Sequence, residues 1–483
     1  MGRQLLIPFL WLITLSTGAQ QSNMLFFMHD LPESNFINPA VQGGCGVFVG
    51  LPVISSLHLH ASNSGFTLNQ LLNKQSNGTY AVDAENVLNR MGPRNLLTTE
   101  LYTTWLALGV QRNDWYFTFA IQEKDNLALA YPRDLVAFGL KGNTQFEGEW
   151  LDLRGTGAYF NHMREFALGV SKVKSRSLTV GMKAKLLFGK LNMTTGRSRI
   201  GMFTADNTFD LLFDVDAGFR SSMPYSLIQD SGTRYRIGNL YGGTVSSVLF
   251  SRRNPGLAFD FGFIYRYNDR LTLSGSLLDL GGIYYRSDLT NYSITEQYLY
   301  QGPAMDSAIS ESFFWDVFDG LNENLNFTLG HESYLYLLEP RLYLGADIQV
   351  NPKVNAQVLL YNRILPNKLQ TSVTAMLSAQ VGKSTRAAVS LSYMNRSFTN
   401  LGVGISTGNK PLQAYLVSDN ILGFFIPMDT KTANIRFGLN LRIGCRQQTD
   451  ITTDCGCAWY RDAEKREARK ENLRRKFGRG KEL

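Results

Sequence analysis

Five histidines (His29, His58, His60, His162, His331) and four cysteines are the side chains of this 483-residue sequence best suited to metal or nucleophilic chemistry. His58 and His60 stand two residues apart, so on a strand they share one face and could hold two sides of a metal ion. No third ligand stands at a completing spacing, and a rim or lumen pair without metal is expected. His331-Glu332-Ser333 has the groups of acyl transfer. Adjacent residues, however, do not make a nucleophile with a separately oriented base, and no nucleophile elbow surrounds the serine. The glycine-rich stretches 43–46 and 155–157 lack the pattern that follows in a phosphate-binding loop. No catalytic, cofactor or metal residues are assigned, and the chain is read as a non-enzyme.

The cysteines depend on compartment. Gly2 and Arg3 precede the apolar run "LLIPFLWLITL", too short to span a bilayer as a helix. Thr17 and Ala19 then supply the small residues of a cleavage site, so residues 1–19 read as an export signal. An oxidising compartment permits disulfides among Cys45, Cys445, Cys455 and Cys457.

The elements that must carry these residues are strands. In "LTVGMKAKLLFG" (178–189), Leu178, Val180, Met182, Ala184, Leu186 and Phe188 alternate with Thr179, Lys183 and Lys185. "LAFDFGFIYRYN" (257–268), "SVTAMLSAQVG" (372–382) and "NIRFGLNLRIG" (434–444) alternate likewise. A mean hydropathy of -0.14, 44 glycines and 52 phenylalanines and tyrosines suit strands with aromatic girdles. Tight turns at 112–114, 174–177, 268–270, 351–353, 382–385 and 408–411 alternate with longer connections at 62–99, 140–157, 192–206 and 284–325. With 46–61 and 240–250 counted as strands, all these tight turns fall at one end. The expected fold is all-β, a closed antiparallel transmembrane barrel of roughly 14–16 strands. Lys183, Lys185, Arg436 and Arg442 would then face the lumen. The expected divisions are a signal at 1–19, a plug-like segment at 20–44, the barrel at 45–445 and a cysteine-containing basic tail at 446–483.

Three stretches, 23–66, 116–143 and 163–193, resemble a Bacteroidota family of predicted outer-membrane barrels, a domain of unknown function. Asn38-Pro39-Ala40 resembles the entry motif of fatty-acid-transporter-type barrels and of barrels serving type IX secretion. The resemblance implies an outer-membrane location in a Gram-negative bacterium and supplies no site residues. It contrasts with the basic tail after the last strand.

Closure sets the first strand beside the last, so Cys45 and Cys445 are expected close enough to bridge, with free thiols as the alternative. Cys455 and Cys457 form a second thiol pair, open to a redox loop or, with the others, a metal site. The tail (458–483) offers a helical, basic handle for a periplasmic protein partner, for peptidoglycan or for anionic headgroups, with a solvated tail as the alternative. Expected partners are outer-membrane lipid and an envelope protein reached through that tail; nucleic acid is not expected. The sequence supports a non-catalytic scaffold of an envelope assembly first. A channel or transporter for a small hydrophobic ligand is the alternative, suggested by the entry motif and the plug-length segment.

Overall fold

A computed structural model of the chain describes residues 22–445 apart from 75–78, 209, 224, 230–234, 241–249, 302–327, 366–367, 383, 395–396 and 409–410. The segment expected as a signal (1–19), Cys455, Cys457 and the basic tail lie outside the described residues, as does most of the 240–250 segment.

The alternating stretches form fourteen wall strands. They are β1 (in two pieces, Val47–Gly50 and Leu57–Asn63), β2 (Arg94–Arg112), β3 (Trp115–Pro132), β4 (Gly157–Val173) and β5 (Leu178–Thr204). Next come β6 (Asn254–Arg266), β7 (Leu271–Tyr285), β8 (Arg341–Asn351), β9 (Val354–Leu365) and β10 (Lys368–Gln380). The wall ends with β11 (Thr385–Met394), β12 (Ser397–Thr407), β13 (Leu412–Asn420) and β14 (Thr432–Ile443). Each pairs antiparallel with its neighbours, and β1 closes the ring: Val47 lies opposite Ile443 on one side and Val110 on the other. Closure leaves no wall edge unpaired, which a bilayer requires.

The usual inside-out order of a soluble protein is reversed. On β10, Leu377 is 53% exposed on the outward face while Gln370, Ser372 and Thr374 are buried inside. Phe437 and Ile443 of β14 point outward, and Asn434, Arg436 and Asn440 point in. Lipid takes the place of a core around such a wall, and the protein is a membrane barrel. Among the described residues no helix is long and apolar enough to cross a membrane.

All six expected tight turns lie at the end marked by Cys45 and Cys445, here called the turn end. The loop end departs from expectation. Residues 192–206 were expected as a connection, but β5 continues as a strand to Thr204. Its near half pairs with β6 and its far half with strand Leu211–Ser222, which in turn pairs with strand Leu289–Tyr300. The expected connection 284–325 thus contains a strand. These pieces stand beyond the wall and bury Leu151, Met202, Leu211, Phe213 and Ile294 beneath Phe138 of helix Arg133–Lys141. They mix polar and apolar residues because they need not face lipid.

Segment 22–44 runs up the lumen from the turn end at Gly44 to near the loop ends of β8, β10 and β13, where Phe26, Asn23 and Met24 meet Tyr343, Ser372 and Asp419. A short helix, Asn23–Phe27, and a 3-10 turn, Pro32–Phe36, put Met24, Leu25, Phe26, Met28 and Leu31 out of solvent entirely. They pack on inward-facing Tyr343, Leu359, Tyr361, Met376 and Tyr415, with Phe26 stacked 5.5 Å from Tyr343. Burying each such side chain favours the seated plug by about 1.5–3 kcal/mol. Two glycines make the room: a Cβ at Gly345 would stand 2.6 Å from the Phe26 ring, and one at Gly181 would stand 2.2 Å from the Pro39 carbonyl oxygen.

Candidate functional site

The site is the lumen, its plug and the cavity at the loop end. The plug is held by polar contacts from around the ring as well as by its apolar core. Asp419 accepts from the Met24 backbone N–H at 2.7 Å, and the Asn23 amide donates to Ser372 and Thr374. Asp30 takes the Ser406 hydroxyl, and Ser276 donates to the Ile37 carbonyl at 2.6 Å. Gln42 donates to Ser171 and accepts from Gln111.

Asn38-Pro39-Ala40 sits on the wall rather than across an opening. Asn38 accepts from the Ala40 N–H at 3.0 Å and donates to the Phe263 carbonyl at 3.3 Å, turning the chain against β6.

The four lumen bases do face inward or partly inward, but three of them have partners that use their charge or donors. Lys183 donates to the Asn35 carbonyl of the plug at 2.6 Å. Lys185 bridges Asp260 at 2.6 Å and Asp279 at 2.7 Å, with Glu165 at 3.7 Å. Arg436 donates to Ser56 Oγ at 3.0 Å. Arg442 lies half-buried near Asp30 and Glu33 of the plug. Two further groups extend this bracing: Lys124 with Glu165 at 2.7 Å, and Arg363 with Glu100 at 2.6 Å. Arg363 also meets Glu339, and Arg341 meets Asp279. Sequence reasoning named the bases and missed the acids. The available signal was an acid at an inward position of an alternating strand, as at Asp260.

The remaining candidates are scattered. His58 and His60 face the lumen with rings 6.4 Å apart, and no group of three or more potential ligands surrounds them among the described residues. His331 Nδ1 lies 2.6 Å from the Leu289 carbonyl, while Ser333 meets the Tyr284 hydroxyl, so the two do not form a nucleophile and base pair. Cys45 and Cys445 are joined as a disulfide at the turn end.

One titratable group in the plug departs strongly from its ordinary behaviour. Glu33 is fully buried against Asn440, Arg436 and Arg442; burial pushes its carboxyl up to about 8, outweighing the pull of the two guanidinium groups.

At the loop end, where β3, helix Arg133–Lys141, β5 and the two added strands meet, lies a cavity of about 640 Å³. Leu129, Leu135, Ile200, Ala217, Phe219 and Ile294 give it apolar walls, and Arg197, Thr195 and Ser198 supply its polar groups. Its size falls within the 300–1,000 Å³ usual for small-molecule sites, which are mostly apolar with a few placed polar groups.

Among the solved structures similar to this chain over most of its length are the following three. The toluene transporter TodX of Pseudomonas putida is 10% identical, with 88% of this chain and 93% of that chain covered and a TM-score of 0.36. A FadL homologue of Pseudomonas aeruginosa is 10% identical, covering 89% and 100%, at 0.37. The translocator domain of the autotransporter NalP from Neisseria meningitidis is 8% identical, covering 82% and 88%, at 0.31. No curated protein matches the chain. The model of a family of unknown function (DUF5723) matches residues 39–419, and the chain belongs to that family.

Proposed function

We propose that this barrel sits in an outer membrane and passes a small hydrophobic ligand, which is captured in the loop-end cavity and admitted when the plug shifts. The apolar cavity carries this reading. It lies at the end of the barrel remote from the Cys45–Cys445 seam, where an exported ligand-binding surface would meet the medium. Leu129 in its lining has the parity opposite to lumen-facing Lys124, so the cavity opens on the outer face of β3 and β4. The lumen behind that wall is filled by the plug and by buried ion pairs, so passage requires movement. The scaffold role rests on the tail 458–483, which lies outside the described residues, and no contact in the described structure favours it.

The test is photolabelling of the purified barrel in nanodiscs with an alkyl diazirine. Labels should concentrate on peptides containing Leu135 and Ile294, and Ile294→Asp should remove that enrichment. Labelling spread evenly over the lipid-facing wall, with no excess at the cavity, would refute the capture site.

A further inference from the structure

A charged group stands on the lipid-facing side of an otherwise apolar wall. In register, Arg164 lies opposite Glu123 on one side and Phe188 on the other, and Glu123 lies opposite Thr103. Their chain neighbours Lys124 and Glu165 point into the lumen, so Glu123 and Arg164 point out. Arg164 donates to Glu123 at 2.6 Å, and His162 meets the same carboxylate at 2.7 Å. Asp125 is 3.5 Å from the other nitrogen of His162.

More cations gather here. The Lys190 ammonium donates to the Ser251 carbonyl, and Phe250 covers the Arg164 guanidinium at 5.2 Å. The turn that brings Phe250 in also brings exposed Arg252 and Arg253, and exposed Arg286 donates to the Arg253 carbonyl at 3.0 Å. Five bases (Arg164, Lys190, Arg252, Arg253, Arg286) thus meet three acids (Glu123, Asp125, Asp288), the last 3.5 Å from Arg253.

Height decides what this patch meets. Val173 ends β4 at the turn end, so Arg164 stands nine residues above it. At about 3.3 Å per residue and a tilt near 40°, that is roughly 22 Å along the membrane normal, close to the top of a band about 25 Å tall. Below it the outward wall is apolar: Phe166, Phe188, Leu168, Leu186 and Leu257.

We propose that this patch is a docking site for the phosphate of a membrane lipid in the loop-end leaflet. The surplus positive charge holds the headgroup, and the acyl chains run down over Phe166, Phe188 and Leu168. Arg252, Arg253 and Arg286 make the outer contacts, above buried Lys190 and the Glu123-paired Arg164. The site is independent of the transport reading.

The test uses the purified full chain in dodecyl maltoside, titrated with dioleoyl phosphatidic acid and followed by native mass spectrometry. Phosphatidic acid should be retained more tightly than dioleoyl phosphatidylcholine. Replacing Arg252, Arg253 and Arg286 together by alanine should weaken it on the order of 100-fold, and lysine at all three should restore most of the affinity. Equal retention of the two lipids, or an unchanged alanine variant, would overturn the proposal. So would displacement of the lipid by inorganic phosphate at matching concentration, which would make this a simple anion site.

Discussion

Raising the pH should loosen the plug through one residue, Glu33. Its carboxyl is shifted from the ordinary 4.5 up to about 8, so between those values the seated plug holds a proton that a released plug gives up. The seated state therefore binds more protons, and its stability falls as pH climbs above about 4.5 and levels off above about 8. Moving between those two values is worth about 5 kcal/mol, as an upper figure that assumes no rearrangement of Arg436 and Arg442 toward the new charge. Hydrogen exchange of the amides of 23–37 reports plug release directly. In the wild type, exchange corrected for intrinsic pH dependence should accelerate steeply between about pH 5 and 8 and then level off. Glu33→Gln, neutral throughout, should keep the slow rate across the range. If the variant retains the wild-type pH dependence, or the wild type shows none, Glu33 is not the group responsible and the argument fails.

Phe26→Ala should cost the plug about 3–4 kcal/mol of packing against Tyr343 and raise protease access to residues 22–44, read by limited proteolysis. Asp279→Asn leaves Lys185 and Arg341 short of charge in the lumen and should destabilise the barrel by about 3–5 kcal/mol, read as a lowered temperature of heat-modifiable mobility. Deleting residues 20–44 should raise single-channel conductance in planar bilayers well above that of the intact chain, which should stay closed. Cys45→Ser should abolish the reduction-sensitive gel shift and lower resistance to denaturant, by about 6 kcal/mol at most on loop-entropy grounds.

Much of the barrel is legible because lipid and lumen impose a strict alternation, as at Ile435, Phe437, Leu439 and Leu441 against Arg436 and Asn440. The disulfide follows from closure, which sets Cys45 and Cys445 at the two sides of one seam. The apolar heart of the lumen was harder to see. Val358-Leu359-Leu360-Tyr361 breaks the alternation because both faces of β9 are apolar, one toward lipid and one toward Phe26 and Met24. Such a run is a sign of something packed inside, and nothing in the strand itself names the partner. The far half of β5 escaped for the opposite reason: beyond the bilayer a strand is freed from period two, so Asn192 to Thr204 looks like a loop. The loop-end cavity depends on contacts between residues as distant as Leu129 and Ile294, which no local pattern records.

The Cys45–Cys445 bond has a further consequence in covalent topology. It turns the wall into a closed loop of chain, with the plug hanging from it as a pendant at Cys45. A single peptide-bond cut between Gly46 and Gly444 would leave all fourteen strands on one connected molecule. Only reduction together with such a cut would yield two fragments. A chain permuted to start at a wall loop would lose this ring, because its new termini open the stretch 46–444 and the disulfide then closes only the segment that joins Cys445 back to Cys45. The native order is the one that ties the whole wall into a ring, with the plug hanging on one side of the tie and the chain after Cys445 on the other.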